Sequence, residues 1–319
     1  MLSRVADNLY WMSRYLERAE HTARLLDLNL AQMLDQTPEA MARRWERLLQ
    51  SLAAPTMESN DPYAVTEALT FDQGNQYSLV ACIAQARENA RQIREQISSE
   101  MYEQLNGLYL QVHRTTMEQV WHAEPHEFFR IVKDGAHLFQ GITDSTISHG
   151  EGWHFIQIGR FIERATATAM LLDTQFAALR EAPVLPLPLD YQYLDWVGLL
   201  KSCTAFEAYC RAYTADIQPT RVAEFLLLNA EFPRSVCFAA EMIQESLQAA
   251  ARATGQRHAG RAERLAGRLR ASLDYAQVDE LLAGDMHAYL TNVQRQCGQI
   301  HEAIYQAYIT YPADTALAS

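Results

Sequence analysis

One helical signature occurs twice in this chain, and any fold must house both copies. Arg14-Tyr15-Leu16-Glu17-Arg18-Ala19-Glu20-His21-Thr22-Ala23-Arg24-Leu25-Leu26-Asp27 aligns with Arg160-Phe161-Ile162-Glu163-Arg164-Ala165-Thr166-Ala167-Thr168-Ala169-Met170-Leu171-Leu172-Asp173, 146 residues on, with nine of fourteen positions identical. A weaker echo joins Asn75-Gln76-Tyr77-Ser78-Leu79 to Phe232-Pro233-Arg234-Ser235-Val236, with the serines 157 residues apart. Two copies whose apolar faces must cover each other favour one fused fold over two independent domains. The expectation is a single domain over residues 1–319, with duplicated halves of approximately 1–145 and 146–319 related by a pseudo-two-fold axis.

Helical periodicity dominates the rest. Val5, Leu9, Met12, Leu16, Ala19, Ala23, Leu26, Leu30 and Met33 advance by alternating steps of four and three, which makes one stripe of a long first helix. Ser3 is placed to cap it, and Pro38 to open a second helix reaching Leu52. Residues 54–62 read as a loop by composition. Further helices are predicted over Ser78–Ser98, Glu100–Met117, Pro125–Phe139, Trp153–Arg180, Tyr191–Tyr213, Arg221–Leu228, Pro233–Ala253, His258–Tyr275 and Val278–Tyr308. The proline-rich run 182–188 reads as a non-helical connection. Strand alternation and hairpin dipeptides are missing, so the fold class is all-α, a helical bundle.

Composition narrows the function. A formal net charge of −12 excludes general nucleic-acid binding, which needs a cationic surface. No apolar run approaches the ~20 residues of a membrane helix. The N-terminus meets Arg4 and Asp7 before any apolar core builds, unlike a secretory signal. Five cysteines without a Cys-x-x-Cys pair read as reduced core thiols, so a cytoplasmic location is expected. No Walker loop, dinucleotide glycine motif, serine elbow or zinc spacing occurs, and neither a metal nor a cofactor is expected.

The repeated motif carries the chemistry. On a helix Arg14, Glu17, Arg18 and His21 share one face, roughly opposite the Val5–Met33 stripe. Tyr10, Leu25 and Leu28 share that face, so the first helix is expected to be covered on both sides. Two readings stay open. The Glu17/Arg18 and Glu163/Arg164 pairs can meet as a buried ionic network. Alternatively Arg14, Arg18, Arg160 and Arg164, with His21, can line a pocket for a carboxylate or phosphate, with Glu17 and Glu163 orienting them or acting as acid/base groups. A ferritin-type di-metal site is disfavoured, because only Glu151-Gly152-Trp153-His154 has the Glu-x-x-His form.

His122 and His126 have metalloprotease spacing, but Pro125 breaks the helix such a site needs and reads instead as a helix start. The glycine-flanked Glu151, with Trp153, forms a tight turn before the repeat helix that reads as a Trp-anchored turn or an anion contact. Arg257, Arg261, Arg264 and Arg268 form a stripe that reads as a solvated face or a surface for an acidic partner.

The doubled Arg-x-x-Glu-Arg-Ala motif, at Arg14–Ala19 and Arg160–Ala165, resembles the bacterial alpha-E family. So do Asn75–Ser78, Ala86–Glu95, Gly150–Trp153 with Gly159-Arg160, and Leu226–Leu228 with Phe232–Val236, which together span nearly the whole chain. His149 departs from the basic residue such as arginine that the resemblance leads one to expect there. The resemblance implies a companion of circularly permuted ATP-grasp ligases, often with a transglutaminase-like protease nearby. ATP-grasp enzymes activate a carboxylate as an acyl phosphate and join it to an amine. The implied role is a helical accessory subunit that binds the ligase or its peptide or carboxylate substrate. An enzyme of the same pathway and a purely structural scaffold are the alternatives.

Overall fold

Two long helices lying side by side organise the chain. The computed structural model describes residues 1–33, 38–55, 57, 59–122, 125–181, 189–214, 216–253 and 260–309. These contain fifteen α-helices and no strand. In the first part they are α1 (Ser3–Ala31), α2 (Pro38–Ser51), α3 (Pro62–Thr70), α4 (Leu79–Gln92), α5 (Ser99–His113), α6 (Met117–His122) and α7 (Pro125–Thr146). Next come α8 (Glu151–Glu181), α9 (Leu189–Ser202), α10 (Phe206–Tyr213), α11 (Pro219–Leu228), α12 (Val236–Ala253), α13 (Arg261–Asp274), α14 (Val278–Ala283) and α15 (Met286–Ile304). The all-α expectation holds.

α1 packs on α4 and α7, and α5 closes that group by touching both. α8 packs on α12 and α15, and α13 closes the second group in the same way. α1 and α8 lie against each other between the groups. They run parallel, since Tyr10 meets Gly159, Arg14 meets Glu163, and Glu17 meets Arg164. The predicted stripe of α1 is buried from Val5 to Leu26, but so are Tyr10, Glu17, Glu20, His21 and Arg24 on its other side. α1 is therefore a central helix with no free polar face.

Several boundaries differ from the sequence reading. Ser3 is the first helical residue, and extended Leu2 precedes it without a side-chain cap. α3 begins at Pro62, the last residue of the supposed 54–62 loop, and continues where no helix is predicted: Asp61 caps it by accepting from the Ala64 amide, and Pro62 sits in its first turn. The predicted Tyr191–Tyr213 helix is split where Thr204 adopts φ 50. The predicted Val278–Tyr308 helix is split at Gly284, after which Asp285 caps α15. α7 continues past Phe139 to Thr146, and α8 starts at Glu151, so Gly152 and Trp153 are already helical. Ser78 and Ser235 cap α4 and α12 by accepting from the Ala81 and Phe238 amides. The 182–188 connection, the start of the predicted helix at His258, and Arg257 lie outside the described residues.

Gly159 sets the spacing at the centre. A Cβ there would stand 2.3 Å from the Tyr10 carbonyl oxygen, so a side chain must push α8 off α1. Gly159→Ala is expected to lower stability by about 1–3 kcal/mol, although alanine favours a helix. Gly141 in α7 has open space around it, and Gly141→Ala is expected to raise stability by up to about 1 kcal/mol. Urea unfolding of both variants checks the contrast.

Candidate functional site

Parallel packing of α1 and α8 brings the first copy of the motif alongside the second. Identical carboxylates facing each other would repel. The motif avoids this because each glutamate reaches the other copy's arginines. Glu163 accepts from Arg14 Nε at 2.9 Å and from Arg18 Nε and Nη2 at 2.6 and 3.1 Å. Glu17 accepts from Arg164 Nε and Nη2 at 2.5 and 3.1 Å, with Arg160 Nε at 4.0 Å. Gln140 of α7 bridges the last pair, accepting from Arg160 at 2.7 Å and donating to Glu17 at 3.1 Å.

Further residues outside the predicted set, Glu20 among them, complete the centre. Arg234, in the turn before α12, reaches Glu17 at 3.3 Å and Glu20 at 2.5 Å. Arg24 donates to the same Glu20, whose side chain is fully buried. His137 of α7 stands 3.4 Å from Glu20 with half its side chain exposed, at the edge of the cluster. A signal for Arg234 existed: it precedes Ser235 as Tyr77 precedes Ser78 in the echo. Tyr77 instead places its ring 5.0 Å from the Arg18 guanidinium.

The two sides of the pairing therefore differ. Glu20, His21 and Arg24 of the first copy correspond to Thr166, Ala167 and Met170 of the second. The buried charge gathers around Glu17. Around Arg14 the partners are largely aromatic, with Tyr10, Trp11, His301 and Tyr305 joined by hydrogen bonds and ring contacts.

Electrostatics follow from this arrangement. Burial alone would raise the carboxyl pKa values of Glu17 and Glu163. Arg164 and Arg234 outweigh burial at Glu17, and Arg14 and Arg18 do so at Glu163, so both are held below the ordinary carboxylate range. His21 is pushed down to about 4, first by burial and then by Arg234, and is neutral near pH 7. Burial, then neighbouring arginines, lowers Arg24 and Arg160 to about 10, and both stay cationic.

The other candidates lie elsewhere or do other work. Glu151 accepts from the Met1 amino group at 2.9 Å. Trp153 donates to Asp144 and stacks on His149, whose ring lies 4.3 Å away. Arg261, Arg264 and Arg268 are exposed along α13, and Arg261 donates to Gln306 at 3.1 Å. His126 is the second residue of α7, and pairs with Asp27 at the end of the first copy. His287, second in α15, holds the corresponding Asp173 at 2.7 Å. Among the described residues no three His, Cys, Asp or Glu side chains gather as a metal site. No described helix is long and apolar enough to cross a membrane.

The fold and centre define an all-helical domain built on paired Glu-Arg motifs. The chain belongs to the Alpha-E family, whose model matches residues 1–309 and is described as a predicted alpha-helical domain with a conserved ER motif. It is 24% identical over 300 residues to an uncharacterized protein of Mycobacterium bovis, and 24% to one of Mycobacterium tuberculosis. Each alignment covers 87% of this chain and 33% of the relative, so the chain spans about a third of those relatives' length. No solved structure matches.

Removing one partner of a buried pair leaves the other charge uncompensated. Arg164→Met is expected to cost about 3–5 kcal/mol of stability, read by denaturant unfolding. Acid weakens the centre in two stages. His21 is neutral when folded, so the unfolded chain takes its proton first and stability falls from about pH 6.5 towards 4. The two glutamates stabilise only while ionised, and their contribution is lost as pH falls further, below about 4.3. Calorimetric melting from pH 8 downward is expected to show Tm falling, with a shallower loss between pH 6.5 and 4 in His21→Ala.

Proposed function

We propose that this chain is a non-catalytic helical subunit of an ATP-grasp-type peptide- or amide-forming system, holding the ligase or its carboxylate-bearing substrate in place. The observation that carries the non-catalytic reading is the saturation of Glu17 and Glu163 by arginine. A general acid needs a proton at working pH, and a general base needs an accessible lone pair of suitable basicity. Carboxylates held ionised and well below the ordinary range supply neither. The ligase and an associated transglutaminase-like protease come from the resemblance. Support for a companion role is the length of the relatives, which join a region like this one to roughly twice as much further polypeptide.

The same reading takes the chain as one duplicated domain with halves of approximately 1–145 and 146–319. The matched neighbours of α1 and α8, the paired serine caps and the paired Asp–His contacts support it. The cysteines, free in the structure, support a reducing compartment such as the cytoplasm.

Co-expression with an ATP-grasp ligase encoded beside this chain, then co-purification and ATP turnover with and without it, tests the subunit reading. A stable complex with altered turnover is expected; no complex and unchanged turnover would sink it. Glu17→Gln and Glu163→Gln are expected to lower Tm, with complex formation falling in step. Loss of turnover at unchanged Tm would favour an enzyme.

A further inference from the structure

The charges of the buried centre do not balance. Arg14, Arg18, Arg24, Arg160, Arg164 and Arg234 face three carboxylates, Glu17, Glu20 and Glu163. Asp144, which acts on Arg160 from the surface side, offsets one more charge. An excess of two positive charges thus sits inside a protein whose formal net charge is −12. Buried cations in excess of their counter-ions are costly unless a further anion joins them.

A cavity of about 20 Å³ lies within this cluster, and its lining includes Arg18, Arg164 and Arg234 against Glu17 and Glu163, with His21 beside them. Two of these residues carry buried nitrogen atoms that find no partner in the protein, Arg18 Nη1 and His21 Nε2, the latter a donor in the Nε2-protonated tautomer. His21 is only 6% exposed, and stands where the other copy has Ala167, which also lines the cavity. A water could satisfy these donors but could not neutralise the charge. The space suits roughly one or two oxygen atoms, given that about 10–15 Å³ admits a single water. A flat carboxylate fits that description, and a tetrahedral phosphate with four oxygens does not. Ser202 lines both this cavity and a neighbouring groove of about 80 Å³ whose walls include Leu25, Leu171 and Leu199.

We propose that this cavity is a carboxylate-binding site, with Arg18 and His21 as donors and Arg164 and Arg234 supplying the surrounding positive charge. It names the group recognised by the subunit described above, but its test uses this chain alone. A failed ligase complex therefore leaves it standing, and the reverse also holds.

Isothermal titration of the full chain with acetate and with N-acetylglycine, at constant ionic strength, tests the site and separates a free acid from a chain end. Chloride, inorganic phosphate and N-acetylglycinamide serve as comparisons. One saturable site per chain for at least one carboxylate is expected, with a matching rise in Tm. N-acetylglycinamide is expected to give no heat, and chloride and phosphate to bind at least tenfold more weakly. His21→Ala, which installs the residue of the other copy, and Ala167→Leu, which fills the cavity, are each expected to abolish binding while the chain stays folded by circular dichroism. No saturable carboxylate heat, equal or tighter binding of chloride or phosphate, binding of the amide, or binding that survives either substitution would overturn the proposal.

Discussion

The structure depends on a parallel pair of related helices that meet through their own copies. In such a pair the two copies of the motif lie alongside each other, so a motif of one charge would repel itself. Arg-x-x-Glu-Arg is self-complementary instead. Its arginines stand three residues before and one after the glutamate, so each carboxylate is caught by the opposite helix. The contact is tight because Gly159 lets the backbones approach. Around it, α4, α5 and α7 on one side and α12, α13 and α15 on the other bury the remaining faces of α1 and α8.

A buried ionic lock alone would need only matched charges. The motif alone sets four arginines against two glutamates, and the differences between the copies add Arg24 and Arg234 against Glu20. Glu20, His21 and Arg24 stand in one copy where the other has Thr166, Ala167 and Met170, and Arg234 stands where the other half places Tyr77. Buried polar atoms without partners cost free energy, and Arg18 Nη1 and His21 Nε2 are two such atoms on the lining of the central cavity. Under the carboxylate-site proposal, the lock and the anion pocket become adjacent parts of one cluster rather than competing readings of the motif.

Much of the helical frame was legible in the chain. The three-four stepping of Val5 to Met33 located α1, and the mixed face of Tyr10, Glu17 and His21 showed that its second side would be covered. Breaks were harder. Thr204 ends α9 through a left-handed backbone that threonine rarely adopts, and no residue preference announces it. α3 was readable from Asp61-Pro62, a cap followed by proline, but the surrounding polar residues masked it. Arg234 and Gln140 escaped notice because they lie on helices or turns far from the motif in the chain, and charge alone does not say which distant carboxylate an arginine will reach.

By itself the sequence determined the helical class and the repeated, self-complementary motif, because periodicity and repetition are local properties written along the chain. Only the tertiary structure decided that α1 and α8 run parallel, that Glu17 and Glu163 are consumed as counter-ions, and that Arg234 adds its charge to the centre. Those outcomes depend on which distant side chains share a low-dielectric space, where an imbalance of one charge outweighs many local preferences.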